Sequence, residues 1–265
     1  MLRWKILILT APALLAAGCA VTPGESPDDS LVWSAALARS LPRETAATVQ
    51  AAQFSQASPG APLDPWEPYL LVPANAPTEY RLVRSEDGVV LEAYAPQGGS
   101  GLYRKIRINT QRHSIIEWRW KVARLPDSDP AAASRASPML RLSLGFHGDM
   151  KKLDFDDRTK LRLAKLLTAN GLPYASLMYV WMRDVPVDTV IRYPHTDRVR
   201  MIVVESGEEH LGQWVSVRRN VLEDYRRAFA EEPQDLVGVG VMTDVGDDGS
   251  PRRTFYGDIT FRSTP

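Results

Sequence analysis

The sequence lacks most of the features by which an enzyme or a nucleic-acid-binding protein is identified from its residues. It has one cysteine, so no internal disulfide can form, and its four histidines are widely separated. Its 32 basic residues balance 32 acidic ones, which excludes the net basic field that nucleic-acid-binding proteins need. It also lacks a Gly-x-Ser-x-Gly elbow, a P-loop, a dinucleotide-binding fingerprint, a paired-histidine metal motif and the Glu-x-Asp-x-x-Glu strand of sandwich glycosidases.

The single cysteine follows a short apolar segment at the N-terminus. Two basic residues precede the apolar run Ile6 to Leu15, which is too short to span a bilayer as a helix. The sequence Leu-Ala-Ala-Gly-Cys at residues 15–19 resembles the processing site of bacterial lipoproteins. This resemblance implies a signal peptide over residues 1–18, a lipidated Cys19 that anchors the chain, and an outer-membrane location facing the periplasm. An ordinary signal peptide that leaves Cys19 unmodified is the alternative.

The rest of the chain divides into a tether and one domain. Residues 19–65 are rich in Ala, Ser, Pro and Gln, which predicts a tether that is partly disordered or contains a short helix. From residue 66 to 265, about nine or ten short alternating segments are separated by turn residues. Helical spacing occurs only over residues 156–170 and 220–231. The prediction is an all-β domain, a jelly-roll-like antiparallel β-sandwich with two helical insertions.

One strand of this predicted sandwich has two chemically different faces. In residues 115–122, Trp118 and Trp120 alternate with Arg119 and Lys121. Tryptophans bury large apolar areas, whereas cations are not core residues. We therefore expect both tryptophans, together with Trp214 on a later strand, to lie in the core, and the cations to lie on the opposite, polar face.

The ordered set of motifs along the chain resembles one family. The motifs are Trp118-Arg-Trp-Lys-Val, Leu177-Met-Tyr-Val-Trp, Arg200-Met-Ile-Val-Val-Glu-Ser-Gly, Val241-Met-Thr-Asp and Tyr256-Gly-Asp-Ile. Together they resemble the bacterial family known as domain of unknown function 3047. This resemblance implies a secreted or periplasmic setting and implies no activity. The last motif also resembles the closing strand of jelly-roll carbohydrate-binding modules.

A second group of residues is a candidate ligand-binding face. If their strands are neighbours, arginines, aromatic residues and a carboxylate come together on one sheet face, as a carbohydrate or an anionic polymer requires. The candidates are Arg119, Lys121, Arg141, Tyr179, Trp181, Arg200 and Asp258. The alternative is that the charged members form ordinary surface ion pairs and that Trp181 belongs to the core.

Three further features have a structural and a functional interpretation. Asp244, Asp247 and Asp248 are oxygen ligands of the kind that calcium binds, but Asp and Gly are also the residues that a solvated turn requires. The glycines of the strand at residues 236–243 allow another element to approach closely. Arg218, Arg219, Asp224 and Tyr225 are candidates for a buried bidentate pair that fixes the second helix.

The leading functional hypothesis is non-catalytic binding of a glycan or another envelope polymer on the polar face of the sandwich. One alternative is a polysaccharide-acting hydrolase or lyase, which needs two carboxyl groups roughly 5–10 Å apart in a cleft. Another is an envelope scaffold that binds a protein partner, which needs a contiguous exposed apolar patch. Calcium is the one cofactor considered. The predicted partners are the membrane, through Cys19, and a glycan ligand, and nucleic acid is not expected.

Overall fold

In the computed structural model, residues 38–69, 76–126, 138–167, 172–194, 196–245 and 248–263 are described. The predicted signal peptide and Cys19 lie outside these ranges. Within them, no helix is long and apolar enough to cross a membrane. The domain consists of strands and a few short helices, as the sequence predicted.

Within the described ranges, thirteen strands form two sheets. The strands are β1 Thr48–Ala52, β2 Trp66–Tyr69, β3 Glu79–Ser85, β4 Gly88–Ala95, β5 Ser100–Ile108, β6 Ile115–Val122, β7 Leu140–Phe146, β8 Ala175–Met182, β9 Val190–Arg192, β10 Val199–Ser206, β11 Val215–Asn220, β12 Leu236–Thr243 and β13 Arg252–Arg262. The six-stranded sheet has the order β11-β6-β13-β4-β3, and β1 also pairs with β13. The seven-stranded sheet has the order β2-β5-β12-β7-β8-β10-β9.

In the part of the chain that the structure describes, two α-helices are inserted between strands, as predicted. Helix α1 (Phe155–Leu167) connects β7 to β8, and α2 (Val221–Phe229) connects β11 to β12. The Asn220 side chain caps α2 by accepting hydrogen bonds from the N–H groups of Leu222 and Glu223. Single turns of 3-10 helix cover Phe54–Gln56 and Met150–Lys152.

The core lies between the two sheets and confirms the alternation of β6. Trp118, Trp120 and Val122 are buried, whereas the intervening residues remain half-exposed on the outer face. The Trp118 ring stacks on Tyr179 of the opposite sheet, with ring centroids 5.0 Å apart, and meets Trp120 edge-on at 5.4 Å. These aromatic contacts join the sheets directly.

Strand β1 lies inside the segment predicted as a tether. It pairs with the C-terminal half of β13, and Val49, Ala51 and Ala52 belong to the core. The sandwich therefore extends further toward the N-terminus than residue 66. Alanine-rich composition predicted a tether, but small side chains are also what fits between closely packed strands.

One strand pair departs from the predicted antiparallel arrangement. Strands β8 and β10 are parallel, whereas all other paired strands are antiparallel among the described residues. The short strand β9 explains this geometry, because it pairs antiparallel with β10 at the edge of the sheet. The chain therefore travels back along the sheet in β9 before it enters β10 in the direction of β8.

Candidate functional site

The predicted ligand-binding residues do not share one face, which corrects that prediction. Arg119, Lys121 and Asp258 lie on the outer face of the six-stranded sheet. Arg141 lies on the outer face of the seven-stranded sheet, on the opposite side of the molecule. The same alternating pattern occurs in strands of both sheets, so alternation alone did not assign a residue to a sheet.

Two of the predicted ligand contacts are core residues instead. Tyr179 and Trp181 have exposed fractions of 0% and 1% and face the opposite sheet. The Tyr179 hydroxyl donates to Asp224 at 2.9 Å, and the Trp181 indole N–H donates to the carbonyl of Gly207 at 3.0 Å. Both polar groups are satisfied within the fold, as buried polar groups normally are.

Arg200 is also buried, at the end of the sandwich below α2. Its guanidinium pairs with Asp197 at 2.9 Å and lies 5.6 Å from the ring centroid of Phe229 on that helix. The side chain has the same orientation along β10 as the core residues Ile202 and Val204. Arg200 therefore supports the helix and does not line a ligand face.

The outer face of the six-stranded sheet carries a groove of about 480 Å³ with a polar lining. We call it the polar groove, and its polar side chains are Ser55, Glu117, Arg119, Ser216, Arg218, Asp258 and Thr260. Strands β11, β6 and β13 are adjacent and supply all of these except Ser55. The polar face that the sequence predicted for Arg119 therefore lines a groove.

Each carboxylate in the polar groove has its own donors. Asp258 accepts hydrogen bonds from the backbone N–H of Ser55 at 2.9 Å and from its hydroxyl at 2.5 Å. Glu117 pairs with Arg262 at 2.7 Å and with Arg218 at 3.4 Å. The groove thus presents fixed donors and acceptors side by side on a rigid sheet.

Arg119 lies across strand β13 and is held from two sides. It pairs with Asp87 at 3.0 Å, and its guanidinium carbon lies 4.5 Å from the ring centroid of Trp214. A Cβ atom at Gly257 would lie 2.5 Å from Cγ of Arg119, so the glycine is what gives the arginine room. The side chain is therefore pre-organised and keeps part of its surface exposed.

Trp214 is half-exposed on this outer face, which corrects its predicted core position. Lys121 lies 5.5 Å from the centroid of its ring and 5.2 Å from that of Phe255. Residues two positions apart in an extended chain lie on the same side, so Trp214 shares the face of Ser216. In the structure both point outward, and Val217 between Ser216 and Arg218 is buried.

The three aspartates predicted as calcium ligands are only partly described. Asp247 lies outside the described residues. Asp244 is 3.4 Å from the guanidinium of Arg141, and Asp248 pairs with Arg252. In the described part of the chain, no three His, Cys, Asp or Glu residues are placed to hold a metal ion. Arginines already supply counter-charge to the two described carboxylates, so their geometry adds no support for a calcium site.

A second groove, which sequence reasoning missed, crosses the outer face of the seven-stranded sheet. Its volume is about 250 Å³. We call it the apolar groove, and its lining includes Tyr69, Tyr103, Arg141, Met178, Tyr193, Met201, Gly238, Gly240 and Met242. The two glycines of β12 were its only signal in the sequence, because they allow something to approach the strand closely.

Comparisons with known proteins identify a family and include distant structural likenesses. A family model described as a protein of unknown function, DUF3047, matches residues 64–260. No curated protein sequence matches the chain.

Several solved structures resemble the chain with TM-scores below 0.5. They include a Stig cyclase from Fischerella sp. TAU, at 10% identity, TM-score 0.36 and coverage of 82% of this chain and 100% of that chain. The mannan-recognising module TmCBM27 matches at 11% identity and TM-score 0.31, over 83% of this chain and 100% of that chain. The glycoside hydrolase domain of Endo-D from Streptococcus pneumoniae R6 matches at 8% identity and TM-score 0.32, over 75% of this chain and 21% of that one. The chain therefore spans about a fifth of that enzyme domain, and these likenesses are too distant to support a function.

Proposed function

Because the chain belongs to the DUF3047 family of proteins of unknown function, we propose its function from the geometry of its surface. We propose that it is a non-catalytic glycan-binding protein of the bacterial envelope, and that the glycan binds in the polar groove. The observation that carries this proposal is the groove itself, in which charged and hydroxyl side chains lie in a row beside a half-exposed tryptophan.

The chemistry of a sugar matches this set of side chains. Hydroxyl groups both donate and accept hydrogen bonds, so they need acceptors such as Glu117 and Asp258 and donors such as Arg119 within one site. The apolar C–H face of a sugar ring is complementary to an aromatic ring, and Trp214 offers one beside the groove, in contact with the lining residue Arg119. An open groove on a sheet also admits a polymer, which an enclosed pocket does not.

A binding role is favoured over hydrolysis by the surroundings of the two carboxylates. Glu117 is paired with arginines, and Asp258 is held by Ser55. A scaffold role at this site would instead need an apolar patch, whereas most side chains that line this groove are polar or charged.

The proposed envelope location rests on the N-terminal sequence. A lipidated Cys19 would hold the sandwich at the outer membrane, with the tether between them. We expect the wild-type chain in the outer-membrane fraction of a Gram-negative host, and the Cys19→Ala variant in the soluble periplasmic fraction. Fractionation with antibody detection measures both. A wild-type chain that is soluble, or a variant that stays with the membrane, would contradict the lipid anchor.

A glycan array tests the binding function. The full chain carrying Cys19→Ala and exported to the periplasm is applied to envelope and plant polysaccharides, and we expect selective binding. Arg119→Ala should weaken that binding about tenfold or more, because a hydrogen bond to a charged group contributes about 1.5–3 kcal/mol. Ser216→Phe should abolish it by filling the groove.

The matched control is Arg84→Ala, which removes an exposed arginine of β3 that does not line the groove. This variant should bind as the parent does. The proposal would be refuted if no glycan bound, or if Arg84→Ala and Arg119→Ala weakened glycan binding equally.

A further inference from the structure

Beside the polar groove, one row of outward side chains on the six-stranded sheet places a lysine between two aromatic rings. Lys121 of β6 pairs with Phe255 of β13, and Trp214 directly precedes β11 on the other side of β6. The Lys121 ammonium lies 5.2 Å from the ring centroid of Phe255 and 5.5 Å from that of Trp214. The cation is therefore held between two half-exposed rings on the outer face of the sheet.

Lys121 follows the polar groove along the same strand. Arg119 and Lys121 are two residues apart on the outer face of β6, which separates their positions by about 7 Å. Trp214 joins the two positions, because its ring also contacts the Arg119 guanidinium, at 4.5 Å. A polymer that leaves the polar groove past Arg119 therefore meets Lys121 and its two rings next.

The ammonium of Lys121 has no counter-ion within the described ranges of the chain. No carboxylate there forms an ion pair with it, and no oxygen accepts a hydrogen bond from it. By contrast, Arg119 has Asp87 as its partner at 3.0 Å. Aromatic rings compensate only part of the charge of an ammonium and leave its N–H donors without acceptors. The donors of Lys121 are therefore open to an anionic group from outside the chain.

The carboxylate across β13 from Lys121 is already matched by two arginines. Glu92 pairs with Phe255 on the next strand, and it forms ion pairs at 2.7 Å with both Arg81 and Arg253. This cluster therefore adds positive charge to the same side of the sheet. An anionic ligand would be attracted to Lys121 and would not need to displace an internal salt bridge.

We propose that the glycan of the polar groove is acidic, and that its negatively charged group binds the Lys121 ammonium while its rings pack on Trp214 and Phe255. This inference rests on the proposed glycan function and names the class of glycan. A neutral sugar would use the rings and leave the charge of Lys121 uncompensated, whereas a sugar with a carboxylate or a sulfate uses both. Lys121 is then the residue that distinguishes acidic from neutral glycans.

Paired glycans on one array test the proposal with the full chain carrying Cys19→Ala. Polyuronates are applied beside their carboxyl-reduced forms, and sulfated polysaccharides beside their desulfated forms, so that each pair differs in the charged group alone. At least one acidic glycan should bind about fivefold or more tightly than its neutral counterpart, the gain expected from one ion pair at a half-exposed lysine. The pair that shows this preference identifies the charged group as a carboxylate or a sulfate.

Three variants assign the preference to Lys121. Lys121→Met removes the charge and should bind both members of a pair equally, whereas Lys121→Arg keeps the charge and should keep the preference. The matched control is Lys151→Met, which removes an exposed lysine outside both sheets and changes the net charge by the same amount. It should bind as the parent does, because a site at Lys121 does not depend on the overall charge of the protein.

The outcomes separate this inference from the proposed function. Neutral glycans that bind as tightly as their acidic counterparts, and that lose binding in Ser216→Phe, would refute the acidic ligand and leave the glycan function in place. Equal loss of the preference in Lys121→Met and Lys151→Met would show a general attraction of polyanions and refute the Lys121 site. If neither member of any pair binds, both the inference and the glycan function are wrong.

Discussion

Replacing Trp120 with alanine is expected to lower the free energy of unfolding by about 3–5 kcal/mol, the range measured for removal of a large buried aromatic residue. Trp120 is completely buried and is among the largest side chains in the core. Its ring meets Trp118 edge-on, and Trp118 in turn stacks on Tyr179 across the sandwich. Deleting it leaves a cavity at the point where the two sheets touch.

Urea denaturation followed by circular dichroism measures this loss. A domain of this kind has a total stability of about 5–15 kcal/mol, so the expected change is a large part of it. The matched control is Trp214→Ala, which removes a tryptophan from the outer face and should cost about 1 kcal/mol or less, the value of an exposed cation–π contact. Equal losses in the two variants would show that the sheets are not held together through Trp120.

Replacing Asp224 with alanine is expected to cost about 3–5 kcal/mol, because it leaves buried partners without their acceptor. This carboxylate on α2 accepts two hydrogen bonds from Arg219 of β11 and one from the Tyr179 hydroxyl of β8. It therefore links the helix to both sheets. The hydrogen bonds to Asp224 raise the pKa of Arg219 above its ordinary value. Burial, with the neighbouring Asp224 carboxylate, raises that of Tyr179.

Thermal and urea unfolding of Asp224→Ala and Glu223→Ala test this role. Glu223 occupies the preceding position on α2 and is exposed, so its loss removes only a favourable charge in the first helical turn, about 0.3–1 kcal/mol. Asp224→Asn should fall between the two, since it keeps the shape and loses the charge. If Asp224→Ala unfolds no earlier than Glu223→Ala, the network is not a determinant of stability.

Sequence pattern predicted the sandwich because its strands alternate cleanly. Side chains alternate between the two faces of a strand, so Trp118 and Trp120 lie on one face and Arg119 on the other. This alternation predicted both the core and the polar face. The second helix was also predicted, and so was a bidentate pair that fixes it, since both are local in the chain. The structure forms that pair between Arg219 and Asp224. Local chemistry was therefore visible in the sequence.

The arrangement of the strands in space could not be predicted from the sequence. Residues 177–182 read as one continuous apolar run, because β8 is buried on both faces, and so the run did not show that Tyr179 and Trp181 face the core. Arg119 and Arg141 have the same local pattern but lie in different sheets. The apolar groove depends on the register of five strands, which long-range pairing decides.

The most direct test of the central claim is an NMR titration of the uniformly labelled protein with the tightest-binding glycan from the array. The indole N–H of Trp214, assigned through Trp214→Phe, reports on the polar groove. The methyl groups of Met178 and Met201 report on the apolar groove on the other sheet. The account predicts a saturable shift of the Trp214 signal and unchanged methionine signals. A shift of the methionine signals with Trp214 unmoved would contradict it.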